Sequence, residues 1–204
     1  MSPRKYRSAV RDDLKAETLR RIVDATIALH AEQGGLATTH AQIAQRAQVS
    51  TPTVYKYFPT RESLFPACIG KVERQAPPLD GAAILAERDP ERRLARLIEV
   101  VYRRHAFFAP WLTWAVAEVQ MIPDLAKAMS HGDRELDELA RAVSSPGRGR
   151  RPLPEAYATT RLFLDFTTWQ RLTRELGDAE LATRTAVAVL RAYFHTLSHK
   201  GGAS

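Results

Sequence analysis

The sequence predicts an all-α fold. Apolar residues return at spacings of three and four through most of the 204 residues, and runs of alternating β-branched residues are absent. The stripes are punctuated by capping and breaking residues at intervals a helix can fill: Gly34-Gly35, Ser50, Pro59, Pro77-Pro78, Asp89-Pro90 and Gly177-Asp178. The break at Pro77-Pro78 divides the chain into residues 1–76 and residues 77–204.

The elements follow in order. Leu19, Ile22, Val23, Thr26, Ile27 and His30 lie on one face of a helix from about Lys15 to Gln33, which Gly34-Gly35 stops. Thr38 or Thr39 caps a short helix, His40 to Ala47, with Ile43, Ala44 and Ala47 facing inward. After a break at Gln48-Val49, Ser50 caps a third helix that carries Pro52 in its first turn and runs to about Phe58. Thr60 caps a fourth, which continues to about Gln75. Beyond the Pro pair, Asp89-Pro90-Glu91 opens a helix whose stripe is Leu94, Leu97, Ile98, Val101 and His105, and which Pro110 closes or kinks. Trp111 to Met121 reads as another helix, and Asp124 to Val143 as a further one. Residues 144–154 read as a loop, because three Pro and two Gly cannot hold an element. Two long helices remain, about Pro154 to Leu176 and Ala179 to His199, followed by a tail, 201–204, expected to fray.

Composition bounds the function. The chain carries a formal charge of +7, unevenly placed: residues 1–75 hold 12 Lys and Arg against 7 Asp and Glu, the remainder 18 against 16. The first third is therefore where a polyanion, most commonly nucleic acid, is expected. The single cysteine, Cys68, excludes an internal disulfide and a Cys-based zinc site, and fits a reducing, cytoplasmic setting. The segment Met1 to Asp13 is charged and lacks the apolar core of a secretory signal. Ala106 to Ala117 is too short for a membrane span of roughly 20 residues, so no membrane partner is expected.

Two short helices with a tight break between them fit a helix-turn-helix, whose second helix enters the major groove by its N-terminal end. That end offers Ser50, Thr51, Pro52, Thr53, Tyr55 and Lys56, with Val49, Val54 and Phe58 on the packed side. Hydroxyls, a methyl or ring surface and an ammonium can read the donor and acceptor pattern of base edges. Thr39 at a helix N-terminus, Tyr57 and Arg61 are placed for phosphates. The arm Pro3-Arg4-Lys5-Tyr6-Arg7, with Arg11, can reach the backbone or minor groove.

These residues resemble the DNA-binding domain of the tetracycline-repressor (TetR) family. The resemblance rests on Gly35, Thr38-Thr39, Ile43-Ala44, Ala47-Gln48-Val49-Ser50, Tyr55-Lys56-Tyr57-Phe58 and Thr60-Arg61-Glu62-Ser63-Leu64, within about thirty contiguous residues. Three positions depart from the pattern: Gln48 replaces the turn Gly, His40 replaces an apolar residue, and Arg61 replaces Lys. The resemblance implies a homodimer that binds double-stranded DNA at a palindromic operator, and a small-molecule effector that weakens this binding. It also implies that the last two long helices of each subunit pair into a four-helix bundle. The fold it implies is a three-helix helix-turn-helix domain at 1–76 joined to a helical ligand-binding and dimerisation domain at 77–204. The last helix carries two stripes in keeping with this. Val187, Leu190, Phe194 and Leu197 suit a core; Leu181, Thr185, Ala188 and Ala192 are mostly small enough for close helix approach across a two-fold axis.

Of 16 aromatic residues, 11 lie after residue 76. Tyr102, His105, Phe108, Trp111, Trp114, Phe163, Phe166, Trp169 and Gln170 are the candidates to bind an apolar or aromatic effector, with Gln120 and Thr168 as further polar contacts. No catalytic residue, metal site or cofactor is expected. Glycine-rich phosphate loops, a His-Glu-x-x-His pair and a nucleophile elbow are all absent, and the pair His195/His199 lacks a third ligand. Two other readings remain open at this stage: an enzyme using the aromatic region, and a helical protein of this fold that no longer binds DNA.

Overall fold

The structure, a computed structural model, describes residues 3–145 and 153–200, with side chains described for 11–145 and 153–197. The side chains of the arm Pro3 to Arg7, the stretch Arg148 to Pro152, the side chain of His199 and the tail 201–204 lie outside the described residues. Ten α-helices and one 3-10 turn make up the described chain, and no strand occurs among its residues. They form two compact units, one of residues 1–75 and 110–129, the other of residues 76–109 and 130–204. The return of 110–129 to the first unit is not legible in the local pattern.

In the first unit α1 spans Pro3–Gln33, beginning well before the expected Lys15. Helices α2 (His40–Ala47) and α3 (Thr51–Tyr57) follow, then a 3-10 turn Glu62–Leu64 and α4 (Phe65–Gln75). Arg61, not the expected Thr60, is the cap residue of the 3-10 turn and makes no side-chain cap bond; the Thr60 hydroxyl accepts from the Ser63 N–H at 3.3 Å, and α4 starts one turn later than expected. Ile22, Ala25 and Leu29 of α1, Ile43, Ala44 and Ala47 of α2, Val54 and Phe58 of α3 and Leu64 form one apolar core. Burying this set is the main drive that fixes α2 and α3 against α1.

The break between α2 and α3 is a left-handed turn at Gln48, with φ 54° and ψ 46°. The Val49 N–H donates to Ala44 O and the Gln48 N–H to Gln45 O, the two reversed bonds that satisfy the end of a helix in a Schellman turn. Arg21 of α1 locks the turn by donating to the carbonyls of Ala47 and Gln48. Gln48 is the one non-glycine residue with positive φ among the described residues.

The second unit contains α5 (Gly81–Ala86), α8 (Pro154–Leu164), α9 (Phe166–Leu176) and α10 (Ala179–Lys200). It also holds the first two-thirds of α6 (Pro90–Glu118) and the later part of α7 (Pro123–Val143). Three sequence expectations change here. Asp80 caps an unexpected helix, α5, by accepting from the Ala83 N–H at 2.9 Å. Helix α6 continues through Pro110, so Trp111 does not open a helix of its own. The long helix expected from Pro154 to Leu176 is two helices, because Asp165 turns extended (ψ 138°) and caps the second by accepting from the N–H groups of Thr167 and Thr168. Helix α10 packs on α8 and α9 through Ala182, Ala186 and Leu190, all fully buried. Of the expected core stripe only Leu190 is fully buried; Val187, Phe194 and Leu197 are half-buried.

Two predictions follow from the first unit's packing. A left-handed Gln is strained by about 1 kcal/mol relative to Gly; Gln48→Gly is expected to raise unfolding free energy by roughly that amount in urea denaturation. His30 is buried against Phe65, its Nε2 lacks a hydrogen-bond partner among the described residues, and burial holds its pKa down at about 4 against an ordinary 6.5. Above pH 6.5 the ring is neutral in folded and unfolded chains alike. Between 6.5 and 4 only the unfolded chain binds the proton, so stability falls with pH across that window by up to about 3 kcal/mol. His30→Leu is expected to shrink the loss in that window, read from denaturation midpoints at stepped pH.

Candidate functional site

The outward surface of α2 and α3 is built from their caps. Thr39 and Gln42 form a reciprocal capping box: the Thr39 hydroxyl oxygen accepts from the Gln42 N–H, and the Gln42 carbonyl oxygen accepts from the Thr39 N–H at 2.9 Å. Ser50 caps α3, accepting from the Thr53 N–H at 3.3 Å, while its hydroxyl lies 2.7 Å from that of Thr53. Pro52, Tyr55 and Lys56 are exposed, Thr51, Thr53 and Tyr57 half-exposed, and Val54 fully buried. The polar candidates thus share the surface of α3, and no acidic residue occurs in that helix.

His40 does more than replace an apolar residue. Its Nε2–H donates to Phe58 O at 2.9 Å, satisfying the end of α3, and its ring stacks on Tyr55 with centroids 4.3 Å apart and planes 1° from parallel. One face of Tyr55 is therefore fixed while the side chain remains 51% exposed. The Lys56 ammonium lies 5.7 Å from the Tyr57 ring centroid. Arg61 is half-buried and donates to Leu36 O, so part of its guanidinium is committed to the turn before α2.

That turn is held by residues the sequence reading did not select. Glu118, buried near the end of α6, accepts from the Gly35 N–H at 2.9 Å and the Leu36 N–H at 3.1 Å. The Trp114 indole N–H donates to Ala31 O at 3.1 Å, and that of Trp111 to Ile27 O at 3.0 Å. In a continuing helix the Gly35 N–H would bond to Ala31 O. Here Glu118 takes the donor and Trp114 the acceptor, so one face of α6 caps the end of α1. A side chain at Gly34, at φ 84°, would collide with the Glu118 carboxyl, and one at Gly35 would lie 2.7 Å from the Phe65 ring. Trp111, Trp114 and Glu118 follow a three-then-four spacing, the available signal for such a face.

Trp111 and Trp114 therefore stand with the first unit and not with the other effector candidates. In the second unit Tyr102, His105, Phe166 and Trp169 come together: His105 lies 6.1 Å from Tyr102, 5.6 Å from Phe166 and 5.8 Å from Trp169 between ring centroids. The His105 Nε2–H donates at 3.0 Å to Leu164 O, a carbonyl released by the break at Asp165. Burial holds the His105 pKa below its ordinary value, against the Leu164 hydrogen bond and the Asp165 charge, which favour the protonated ring. Phe108 is half-buried beside Phe107, under the Arg104 guanidinium. Phe163 and Gln170 are half-buried, and Gln120 is exposed. Among the described residues no three His, Cys, Asp or Glu side chains gather as a metal site, and no helix is long and apolar enough to cross a membrane. Cys68 is buried, with its thiol pushed up to about 12, chiefly by burial.

The family described as "Bacterial regulatory proteins, tetR family" matches residues 22–68, from the core face of α1 to Cys68 in α4. Residues 22–68 thus carry the N-terminal DNA-binding domain of that family. The chain is a DNA-binding transcriptional regulator. The HTH-type transcriptional repressor KstR of Mycolicibacterium smegmatis is 26% identical over 189 residues, covering 89% of this chain and 90% of that protein. The HTH-type transcriptional regulator BetI of Rhizobium meliloti is 35% identical over 108 residues, 48% of this chain and 51% of its own. A TetR-like transcriptional regulator from a Rhodococcus species shares the fold, with TM-score 0.64, 16% identity, and coverage of 87% of this chain and 96% of that one.

The cap on α1 has a measurable consequence. Glu118→Ala strands two backbone donors and is expected to destabilise the TetR-family domain by roughly 2–4 kcal/mol, and Glu118→Gln, which keeps one acceptor, by about half as much. Chemical denaturation followed by circular dichroism reads both; equal effects would contradict the assignment.

Proposed function

We propose that the protein is a repressor that binds a palindromic operator as a homodimer and leaves it when a small apolar effector binds the second unit. One observation supports this most: α3 presents Thr51, Pro52, Thr53, Tyr55 and Lys56 outward with no acidic residue among them, while its other face is sealed into the core by Val54. Thr51, Thr53, Tyr55 and Lys56 read base edges, with Ser50 and Pro52 setting the start of the helix. Thr39, Tyr57 and the uncommitted part of Arg61 hold phosphates, which set register but carry no sequence information. The sign of regulation is drawn from the relatives named as repressors.

The dimer reading is supported by apolar side chains left outside on the closing helices. Leu162 of α8 is 58% exposed, and Leu181 and Val189 of α10 are 38% and 45% exposed. The small residues Ala188 and Ala192 are exposed on the same helix. A two-fold pairing of α8 and α10 with those of a second copy would cover them. Tyr102, His105, Phe166 and Trp169, with Phe108, Phe163 and Gln170 around them, are the effector candidates kept from the sequence. The effector acts by its difference in affinity between operator-bound and free states.

Fluorescence anisotropy with DNA from the region upstream of the gene tests this. Affinity is expected to fall steeply with salt on every duplex and to be highest on one palindromic sequence. Lys56→Ala is expected to lose more on the operator than on random DNA. Arg61→Ala is expected to weaken both alike and to reduce the salt slope by about one contact. Binding without salt or sequence dependence would overturn the proposal.

A further inference from the structure

His40 opens α2 but serves α3. It is buried, and it directly follows Thr39, whose capping box with Gln42 fixes the backbone at that point. Its Nε2–H donates to Phe58 O at 2.9 Å, the carbonyl of the residue that caps the far end of α3. The imidazole is thus held from both ends and cannot turn without breaking that bond. Tyr55 lies flat against it, with ring planes 1° from parallel. Thr53 and Lys56 find their partners within α3 and its cap: Thr53 meets Ser50, and Lys56 lies near the Tyr57 ring. Tyr55 is instead set by a ring from another helix. An exposed tyrosine without such a partner has several rotamers open to it. An aliphatic residue at position 40, as in the pattern the sequence resembles, would cover part of the Tyr55 ring. It would not set the plane of that ring, which two flat rings packed together do.

We infer that His40 is a positioning residue for sequence discrimination: buried and away from the DNA, it holds Tyr55 in the orientation that reads a base edge. The inference rests on the proposal that α3 reads base edges. It adds a residue of α2 on which that reading depends, and it separates selectivity from affinity. Base-edge contacts are directional, so a ring that must first be ordered gives up part of its binding energy. Phosphate attraction is long-ranged and tolerant of side-chain geometry. Loss of the stack therefore falls on the operator and not on DNA in general.

The test uses the full-length protein as wild type, His40→Leu, His40→Phe, Tyr55→Leu and the double Leu variant, at a temperature where circular dichroism shows each to be folded. Each protein selects sequences from a randomised duplex library. Affinity is then measured on the duplex that wild type selects and on a random duplex of equal length. His40→Leu is expected to lose roughly threefold to tenfold on the selected duplex, with its affinity for random DNA and its salt slope unchanged. Its base preference is expected to flatten at the positions where that of Tyr55→Leu flattens, and at no others. Adding His40→Leu to Tyr55→Leu is expected to cost nothing further. Both His40 variants lose the bond to Phe58 O and are expected to melt below wild type, but His40→Phe keeps a ring for the stack and with it the base preference. The inference is overturned if His40→Leu weakens both duplexes alike, if its flattened positions differ from those of Tyr55→Leu, if the two substitutions add in full, or if His40→Phe loses as much preference as His40→Leu. If His40→Phe does not fold, the cycle between His40→Leu and Tyr55→Leu still decides. A wild type that selects no sequence refutes the reading of α3 itself, whereas a selective wild type whose preference survives His40→Leu refutes this inference alone.

Discussion

The turn from Gly34 to Thr39 is the constraint on which the DNA-facing surface depends. It has to end α1, reverse the chain, and deliver Thr39 as the cap of α2, and few of its polar groups are satisfied within a helix. Glu118 takes the N–H groups of Gly35 and Leu36, Arg61 takes the carbonyl of Leu36, and the Gln33 amide takes that of Ala37 at 3.1 Å. The buried Thr38 hydroxyl closes back on Gly34 O at 2.7 Å. Each bond has a modest net worth, but the groups at the buried positions Gly34, Gly35 and Thr38 would be expensive to leave unpaired. Gly34 and Gly35 are therefore fixed twice over, by backbone conformation and by the space that Glu118 and Phe65 occupy.

The same logic explains why α3, only seven residues long, can present a defined surface. An isolated helix of that length is not stable in water. Here Ser50 caps one end, His40 satisfies the Phe58 carbonyl at the other, and Val54 anchors the middle in the core. The side that carries Tyr55 and Lys56 is left to solvent, and the stack of Tyr55 on His40 removes rotamer freedom before any ligand arrives. Less entropy is then lost when that ring is held against DNA.

How much of this was legible in the sequence follows from the range of each interaction. Caps act within four residues, so Thr39, Ser50, Asp89 and the stop at Gly34-Gly35 were readable. The Gln48 turn was readable because a missing glycine stands out against the family pattern. The cap at Asp165 was present in the local sequence but masked by the apolar residues on both sides, which continue a helical stripe through the break. Asp80 was overlooked because α5 is too short to show a period. Glu118 and the two indoles lay beyond any local pattern: their partners, Gly35, Leu36, Ala31 and Ile27, are distant in sequence. Residue type alone made Trp111 and Trp114 look like pocket walls, whereas their N–H groups are held by carbonyls of α1.

Helix α6 supplies Tyr102 and His105 to one unit and Trp111, Trp114 and Glu118 to the other. A regulator needs its effector and its operator to bias one shared equilibrium, because a ligand indifferent to the two states shifts nothing. The end of α6 makes directional hydrogen bonds to a turn with little slack, so displacement of Glu118 would release two backbone donors at once rather than gradually. Such a contact has two states, made or broken, and the turn it holds leads directly into the capping box of Thr39.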